Sequence, residues 1–202
     1  MPERTESGNA GQETATVQDT AGVLSPAALI PATEADHSAV VDLANRAYRG
    51  TGPNASWNVE TVIEGQRITF DLLRRDLASK PHARLLLWQG ETGSLLGSVW
   101  LEPVQSPGQA GVWYLGLLAV EPSLQKQQLG RTLLAAAEEY ARAHGARQIR
   151  MTVVNVRVPL IAWYLRRGYT LTGETEPYPY GDDRFGRPLR DDLHFAVLTK
   201  DL

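Results

Sequence analysis

A polar turn at residues 125–130 lies between two apolar segments and has the composition of a phosphate-binding site. It reads Gln-Lys-Gln-Gln-Leu-Gly. It joins an uncharged run, residues 112–120, to an amphipathic helical pattern that begins at Leu129. The first turn of a helix offers unpaired backbone amides and a favourable dipole to an anion, and Lys126 and Arg131 would add positive charge. The order therefore predicts a phosphate-binding turn, with an ordinary solvent-facing helix cap as the alternative.

Two further polar residues follow this helix. Asn155 comes after a strand-like segment, and Tyr164 begins the sequence Tyr-Leu-Arg-Arg-Gly168-Tyr169. Tyr164 also lies at helical spacing with Leu160, so a buried core tyrosine is the alternative to a functional one.

Together these segments resemble the GNAT N-acetyltransferase superfamily. The family's pyrophosphate turn reads Gln/Arg-x-x-Gly-x-Gly/Ala before a helix, and a later helix carries Tyr-x-x-x-Gly-Phe/Tyr. This chain has Gln128 at the first glycine of the turn, and nine residues separate Asn155 from Tyr164 where seven are commoner. The resemblance covers roughly residues 85–198. It implies an α/β domain with a mixed sheet of about seven strands and about four flanking helices, split after the cofactor-binding strand.

The resemblance also implies acetyl-CoA as the cofactor and assigns residues to it. In the family, the backbone of Leu118 and Val120 pairs with the pantetheine arm, the N–H of Leu118 faces the thioester oxygen, and Tyr164 donates a hydrogen bond to the sulfur. The implied cofactor-binding residues are Leu118, Ala119, Val120, Gln125, Lys126, Gln127, Gln128, Leu129, Gly130, Arg131, Thr132 and Asn155.

An amine acceptor arrives mostly as ammonium, so a base must take its proton directly or through water. Glu102 closes an apolar strand beside the proposed cofactor strand and is the first candidate, with Glu121 second. A solvated carboxylate at a strand end is the alternative for both.

Residues 174–192 are rich in acids and aromatic side chains. The family commonly places this connection at the acceptor pocket. Its acidic excess favours a cationic acceptor, on which Tyr178, Tyr180 and Phe185 could stack. A solvated surface loop is the alternative.

Composition limits the remaining possibilities. The chain has 202 residues, 43% of them hydrophobic, and we expect one acetyltransferase domain at residues 26–202 behind a disordered tail, residues 1–25. It has no cysteine, which excludes a cysteine acyl-enzyme, and we expect no metal site. No broad basic face predicts nucleic-acid binding, and no segment predicts a leader or a membrane span. A soluble cytoplasmic protein is expected, and a homodimer is left open.

Periodicity predicts the elements that position these residues, and Gly116, in the middle of a strand, indicates a bulge or a close backbone approach. The predicted strands are residues 27–30, 83–88, 95–101, 112–120, 148–154, 169–174 and 193–198. The predicted helices are residues 36–49, 60–78, 129–144 and 159–168, and Gly65 is a candidate break within the second of them.

The leading hypothesis is an N-acetyltransferase that moves an acetyl group directly from acetyl-CoA to a primary amine of a small, cationic molecule. A non-catalytic acyl-CoA-binding or regulatory module is the alternative, because the first glycine of the turn is missing. A nucleotide-phosphate binder has little support, because neither common glycine-rich phosphate motif occurs.

Overall fold

A computed structural model describes residues 28–51, 55–124, 128–182, 184 and 186–202. The predicted disordered tail therefore lies outside the described residues. The strands are β1 (Leu29–Pro31), β2 (Ile63–Glu64), β3 (Arg84–Gln89), β4 (Leu95–Pro103), β5 (Val112–Val120), β6 (Gln148–Val154), β7 (Thr170–Pro177), β8 (Arg187–Pro188) and β9 (His194–Asp201). The α-helices are α1 (His37–Arg49), α2 (Phe70–Ser79), α3 (Leu129–Ala143) and α4 (Val158–Leu165).

Seven strands form one mixed sheet in the order β1-β3-β4-β5-β6-β9-β7, and β2 pairs with β8 in a separate two-stranded sheet. Within the large sheet, β5 and β6 are parallel and the other pairs are antiparallel. The parallel pair is connected through α3, as a parallel connection requires. The α/β class, the mixed sheet of seven strands and the four helices are as predicted.

Hydrophobic clusters cover both faces of the sheet. On one face, α3 and α4 contribute Leu133 and Leu160 to the larger cluster, together with Leu115 of β5. On the other, α1 and α2 contribute Val40 and Leu73 to a second cluster. The cleft described below opens along the sheet between β5 and β6, so elements from both faces border it.

The helix predicted at residues 60–78 is wrong in its first half. The chain there forms β2 and a turn at Gly65, whose φ is +89°, and α2 starts only after Thr69. The side chain of Thr69 accepts a hydrogen bond from the N–H of Leu72 and so caps the helix. Gly65 does interrupt the segment, as its residue type indicated, but the residues before it form a strand rather than a helix.

None of the helices in the described ranges is long and apolar enough to cross a bilayer. Among the same residues, no group of three or more His, Cys, Asp or Glu side chains is placed to bind a metal ion.

Candidate active site

The sheet splits between β5 and β6. The two strands pair only at their beginnings, where Val112, Trp113 and Tyr114 lie opposite residues 148–150. Beyond Tyr114 the strands separate, and its hydroxyl reaches across to Oγ1 of Thr152 at 3.2 Å. The second half of β5 therefore has one free edge.

A β-bulge shapes that free edge. The pairing with β4 shifts by one residue between Ser98 and Trp100, and Leu117 has a φ of +45°. As a result Leu115 and Leu118, three residues apart, both pack in the larger cluster. The bulge lies one residue beyond Gly116. At Gly116 itself the constraint is space, because a Cβ would lie 2.7 Å from Cε1 of Tyr114.

The bulge directs two backbone positions into the cleft. The N–H of Glu121 donates to the carbonyl of Leu96 on β4 at 2.9 Å. Since backbone groups alternate along a strand, those of Val120 and Leu118 point away from β4, whereas Ala119 pairs with β4. The carbonyl of Leu118 accepts a hydrogen bond from the hydroxyl of Tyr48 at 3.2 Å.

The turn at the end of β5 leads into the N-terminus of α3. Its first part, Gln125, Lys126 and Gln127, lies outside the described residues. Gln128 is the N-cap and has φ +59° and ψ +17°, a left-handed conformation typical of glycine. Its carbonyl accepts from the N–H groups of Arg131 and Thr132. Within the described part of the chain, nothing accepts from the N–H of Leu129 or Gly130.

Gly130 lies where α3 comes close to α4. A Cβ at this position would be 3.4 Å from Cζ2 of Trp163. A methyl group would just fit, whereas the branches of a valine would press on the ring or into the cleft.

Positive charge gathers at this end of the cleft. Burial lowers the pKa of the Arg167 guanidinium, and the positive charges of Arg166 and Arg131 lower it further. Its Nε is buried and has no partner among the described residues. Arg131 and Arg167 repel each other, and Nε of Arg167 is an unsatisfied donor. Such a pair is suited to an anion such as a phosphate group.

Tyr164 lies on α4 on the opposite side of the cleft from α1. It is 6% exposed, and burial raises the pKa of its phenol, with Tyr48 nearby adding to the effect and Arg157 opposing it. Among the described residues, no group forms a hydrogen bond with its hydroxyl. Its ring packs edge-on against Tyr169, whose hydroxyl does have a partner, Glu138, at 2.9 Å.

Asn155 lies at the end of β6 with its side chain bound to backbone. Its Oδ1 accepts from the N–H of His194, and its Nδ2 donates to the carbonyl of Asp192. The amide therefore holds the start of β9. Its role in cofactor binding stays a prediction.

The two candidate bases already have partners. Glu102 accepts a hydrogen bond from Nζ of Lys80 at 2.7 Å and lies opposite Tyr114 in the sheet. Partial burial works to raise the pKa of Glu121, but hydrogen bonds from Arg46 and Ser123 outweigh it and lower the pKa. A lower pKa makes Glu121 a weaker base.

A buried group of charges lies against Tyr48, beside the free edge of β5, and the sequence did not predict it. Glu60 is 6% exposed at its side chain and pairs with two arginines, Arg49 and Arg157, each 10% exposed. Burial would raise the pKa of Glu60, but Arg157, Arg49 and Arg67 together lower it. We call these four residues the arginine cluster.

Tyr48 connects the arginine cluster to the free edge of β5. The guanidinium carbons of Arg67 and Arg157 lie 5.2 and 5.7 Å from the centre of its ring. Its hydroxyl meanwhile contacts Leu118, so one tyrosine ring separates the arginines from the bulge.

The aromatic residues predicted to bind the acceptor lie beyond this cluster. Tyr178 is 5% exposed and packs against Tyr180 and Phe195. The hydroxyl of Tyr180 accepts from the N–H of Leu193, and Phe185 lies outside the described residues.

Several acids of this region are paired with arginines. Glu174 and Glu176 both bind Arg150, Asp182 binds Arg184, and Asp192 binds Arg190. The acidic excess counted in the sequence therefore overstates the negative charge available to an acceptor.

Only one residue of the arginine cluster carried a local signal in the sequence. Arg157 is the N-cap of α4, where a helix dipole disfavours a cation and an Asp, Ser or Thr is usual. Tyr48, Arg49, Glu60 and Arg67 all lie within residues 48–67, but no helical or strand periodicity connects them.

Comparisons with known proteins agree with this geometry. The family described as Acetyltransferase (GNAT) family matches residues 38–169. The curated mycothiol acetyltransferase of Salinispora tropica is 30% identical over 133 residues, which is 61% of this chain and only 43% of the relative's length.

Solved structures share the fold. A ribosomal-protein-alanine N-acetyltransferase from Brucella melitensis superposes with a TM-score of 0.63 at 20% identity, covering 87% of this chain and 99% of its own. The yncA protein of Salmonella typhimurium, solved with its cofactor acetyl-CoA, superposes with a TM-score of 0.60 at 19% identity. The match covers 88% of this chain and 95% of the yncA chain. The predicted fold and family resemblance are thus confirmed. Because the family match spans more than half of the chain, the protein belongs to the GNAT acetyltransferase family.

Proposed function

We propose that this protein transfers the acetyl group of acetyl-CoA directly to the primary amine of a small molecule. The observation that carries the proposal is the cleft itself. At the free edge of β5 the backbone of Leu118 and Val120 points away from β4, α3 begins a short way further along the chain, and Tyr164 of α4 lies near Tyr48. Family membership and a related fold solved with acetyl-CoA support the choice of cofactor.

The two ends of the cleft suit the parts of acetyl-CoA. The N–H groups of Leu129 and Gly130, with Arg131 and Arg167 nearby, suit the phosphates. The edge of β5 suits the pantetheine arm, whose amides need backbone partners. Polar backbone at the bulge would then lie beside the thioester, where a fixed N–H donor stabilises the negative charge that develops on the acyl oxygen.

In the reaction the amine nitrogen bonds to the acetyl carbon, the carbon–sulfur bond breaks, and the electron pair goes to sulfur. Tyr164 is proposed to donate a hydrogen bond to that sulfur. A free phenol has a pKa of about 10 and a thiol about 8.5, so complete proton transfer is already uphill. Since burial raises the pKa of Tyr164 further, a hydrogen bond without full transfer is the role that fits.

An acceptor that arrives as ammonium loses one proton before its nitrogen attacks and a second as the amide forms, and the second goes to the departing thiolate or to water. Glu102 is proposed to take the first proton through water, because Glu121 and Glu60 both have lowered pKa values. The positive arginine cluster would assist, because nearby cations lower the pKa of an ammonium group and increase its neutral fraction.

The left-handed Gln128 removes the main argument for a non-catalytic module. That hypothesis depended on the missing glycine, yet Gln128 adopts the backbone conformation for which glycine is usually selected. At Gln128 the backbone therefore has the conformation expected of the family's glycine, with a different side chain.

Binding and turnover can be tested on one preparation. Saturating acetyl-CoA should raise the thermal midpoint, because it stabilises only the native state, and thiol release should follow when a panel of primary amines is added. Gly130→Val should weaken acetyl-CoA binding, whereas Gly130→Ala should bind nearly normally. No midpoint shift and no heat of binding would contradict the cofactor assignment, while binding without thiol release from any amine would contradict acetyl transfer to an amine.

A further inference from the structure

The arginine cluster carries more positive charge than its own carboxylate can balance. Three guanidinium groups, those of Arg49, Arg67 and Arg157, face one carboxylate, Glu60, which leaves a formal charge of +2. Both oxygens of Glu60 are already used, one by Arg49 and the other by Arg157. Of the three arginines, Arg67 is therefore the one that Glu60 does not hydrogen-bond.

Arg67 is the residue whose charge is left over. In the described part of the chain it forms no ion pair with a carboxylate, and its guanidinium lies over the ring of Tyr48. It is half-buried, so water screens it less than a surface arginine. A half-buried guanidinium without an anion is a suitable binding site for one, since its fork of donors matches carboxylate and phosphate oxygens.

The arginine cluster is not placed to serve the phosphates of acetyl-CoA. Those are assigned to the N-terminus of α3, at the other end of the β5 edge, where Arg131 and Arg167 lie. The pantetheine arm and the acetyl group between the two ends are uncharged. The anion expected at Arg67 therefore belongs to the second substrate.

We infer that the acceptor carries an oxyanion group, a carboxylate or a phosphate, in addition to its amine, and that Arg67 binds this group. This inference rests on the proposed acetyl transfer and defines its acceptor class. Tyr48 sets the geometry: its ring lies against Arg67 and its hydroxyl contacts Leu118, so an acceptor anchored at Arg67 extends its amine toward the bulge.

The side chain of Arg67 can be changed without removing what holds its segment. Asn45 fixes the backbone there, because its Oδ1 accepts from the N–H of Arg67 and its Nδ2 donates to the carbonyl of Ile68. Arg67→Gln and Arg67→Lys should consequently fold. Arg187→Gln is a matched control, since Arg187 is an exposed arginine paired with Glu64 outside the cluster.

The experiment compares acceptors with and without an oxyanion. Glycine is paired with glycinamide and β-alanine with its amide, which are close in size, and aminoethyl phosphate is paired with ethanolamine, which lacks the phosphate group. We expect kcat/KM for the anionic member of at least one pair to exceed that of its neutral partner by about tenfold or more. Arg67→Gln should lower that value by about 10–100-fold through KM, as expected for a hydrogen bond to a charged group. It should leave the affinity for acetyl-CoA unchanged. Arg67→Lys should retain part of the preference, and Arg187→Gln should behave as wild type. The pair that responds distinguishes carboxylate from phosphate.

Two results would overturn the inference while leaving acetyl transfer intact. One is faster turnover of the neutral members, and the other is an anion preference that Arg67→Gln does not change. If no amine is acetylated, the proposed function fails, and calorimetry of the same compounds on protein loaded with acetyl-CoA decides about Arg67. Heat of binding from the anionic compounds that is lost in Arg67→Gln supports the site. No heat of binding in the wild-type protein, or heat that Arg67→Gln retains, rejects the site.

Discussion

The two ends of the cleft are built from different parts of the protein. At the coenzyme end, β5 and the first turn of α3 are continuous in the chain and present backbone groups. At the acceptor end, the arginine cluster and Tyr48 present side chains that come from α1, the segment before α2, and the N-cap of α4. The difference lies in whether backbone or side-chain atoms make the site.

This difference predicts how each end responds to substitution. A site made of backbone amides tolerates a changed side chain if the chain keeps its conformation, as Gln128 already illustrates. A buried charge network does not, because removing one partner leaves the others uncompensated. The largest effects should therefore occur at the acceptor end.

Glu60→Gln should produce the largest loss of stability. The substitution leaves the positive charges of Arg49 and Arg157 buried without their carboxylate, and breaking such a pair costs about 3–5 kcal/mol of unfolding free energy. Denaturant unfolding measures it. Glu64→Gln is the control, because Glu64 pairs with Arg187 where both side chains are more than half exposed, and should cost less than about 1 kcal/mol. Equal losses would mean that water already screens the cluster.

Acid should remove the same stabilisation. The pKa of Glu60 is lowered in the folded protein relative to its ordinary value of 4.5. Its contribution is therefore complete above about pH 4.5 and is lost as the pH falls through the lower, folded pKa. The difference in unfolding free energy between wild type and Glu60→Gln should be constant near neutral pH and shrink below pH 4.5. If the difference in unfolding free energy grows in acid instead, the pKa of Glu60 is raised rather than lowered in the folded protein.

Tyr164→Phe should mainly affect turnover. The lost hydroxyl acts on a sulfur that becomes a strong acceptor only as the thioester breaks, so kcat should fall by about 10²-fold with little change in acetyl-CoA affinity. Tyr169→Phe is the control. It removes a buried hydroxyl that donates to Glu138, so it should cost about 1–3 kcal/mol of stability and leave kcat intact. A Tyr164→Phe protein that is less stable but fully active would place Tyr164 in the core only.

The elements around the proposed coenzyme end were predicted well because their patterns are local. Residues 112–120 and 148–154 were predicted with the bounds that the structure has, since long apolar strands flanked by turns give a clear pattern. The start of α3 at Leu129 was likewise correct. The bulge was expected near Gly116 and lies at Leu117, because a register shift depends on the partner strand β4 as well as on local sequence.

The acceptor end could not be predicted in the same way. Glu60 and Arg67 lie in a segment that was predicted as helix. One partner of Glu60, Arg157, is 97 residues away, whereas the other, Arg49, is 11 residues away. Charges in a sequence usually indicate a solvated surface, and only the packing of α1 against β5 places these ones inside. Conversely, the acids of residues 174–192 were expected to favour a cationic acceptor, and several of them are paired with arginines.

The smallest expected effect is at the coenzyme end, in Gln128→Gly. A residue other than glycine in the left-handed region costs roughly 1–2 kcal/mol, and Gln128, with φ +59°, carries this cost on an exposed side chain. Glycine removes the cost but also makes the unfolded chain more flexible, which offsets about 0.4–1 kcal/mol. The unfolding free energy should therefore rise by up to about 1 kcal/mol. Acetyl-CoA affinity should change little, because Gln128 already has a left-handed backbone conformation.

Gln128→Ala separates the backbone from the side chain in this prediction. Alanine removes the polar side chain and keeps the left-handed strain, so its stability should stay near that of wild type and below that of Gln128→Gly. Calorimetry of acetyl-CoA binding on the three proteins completes the comparison. Weaker binding by both variants would show that the Gln128 side chain itself contacts the cofactor. The coenzyme end would then depend on side chains as the acceptor end does, and the contrast between them would fail.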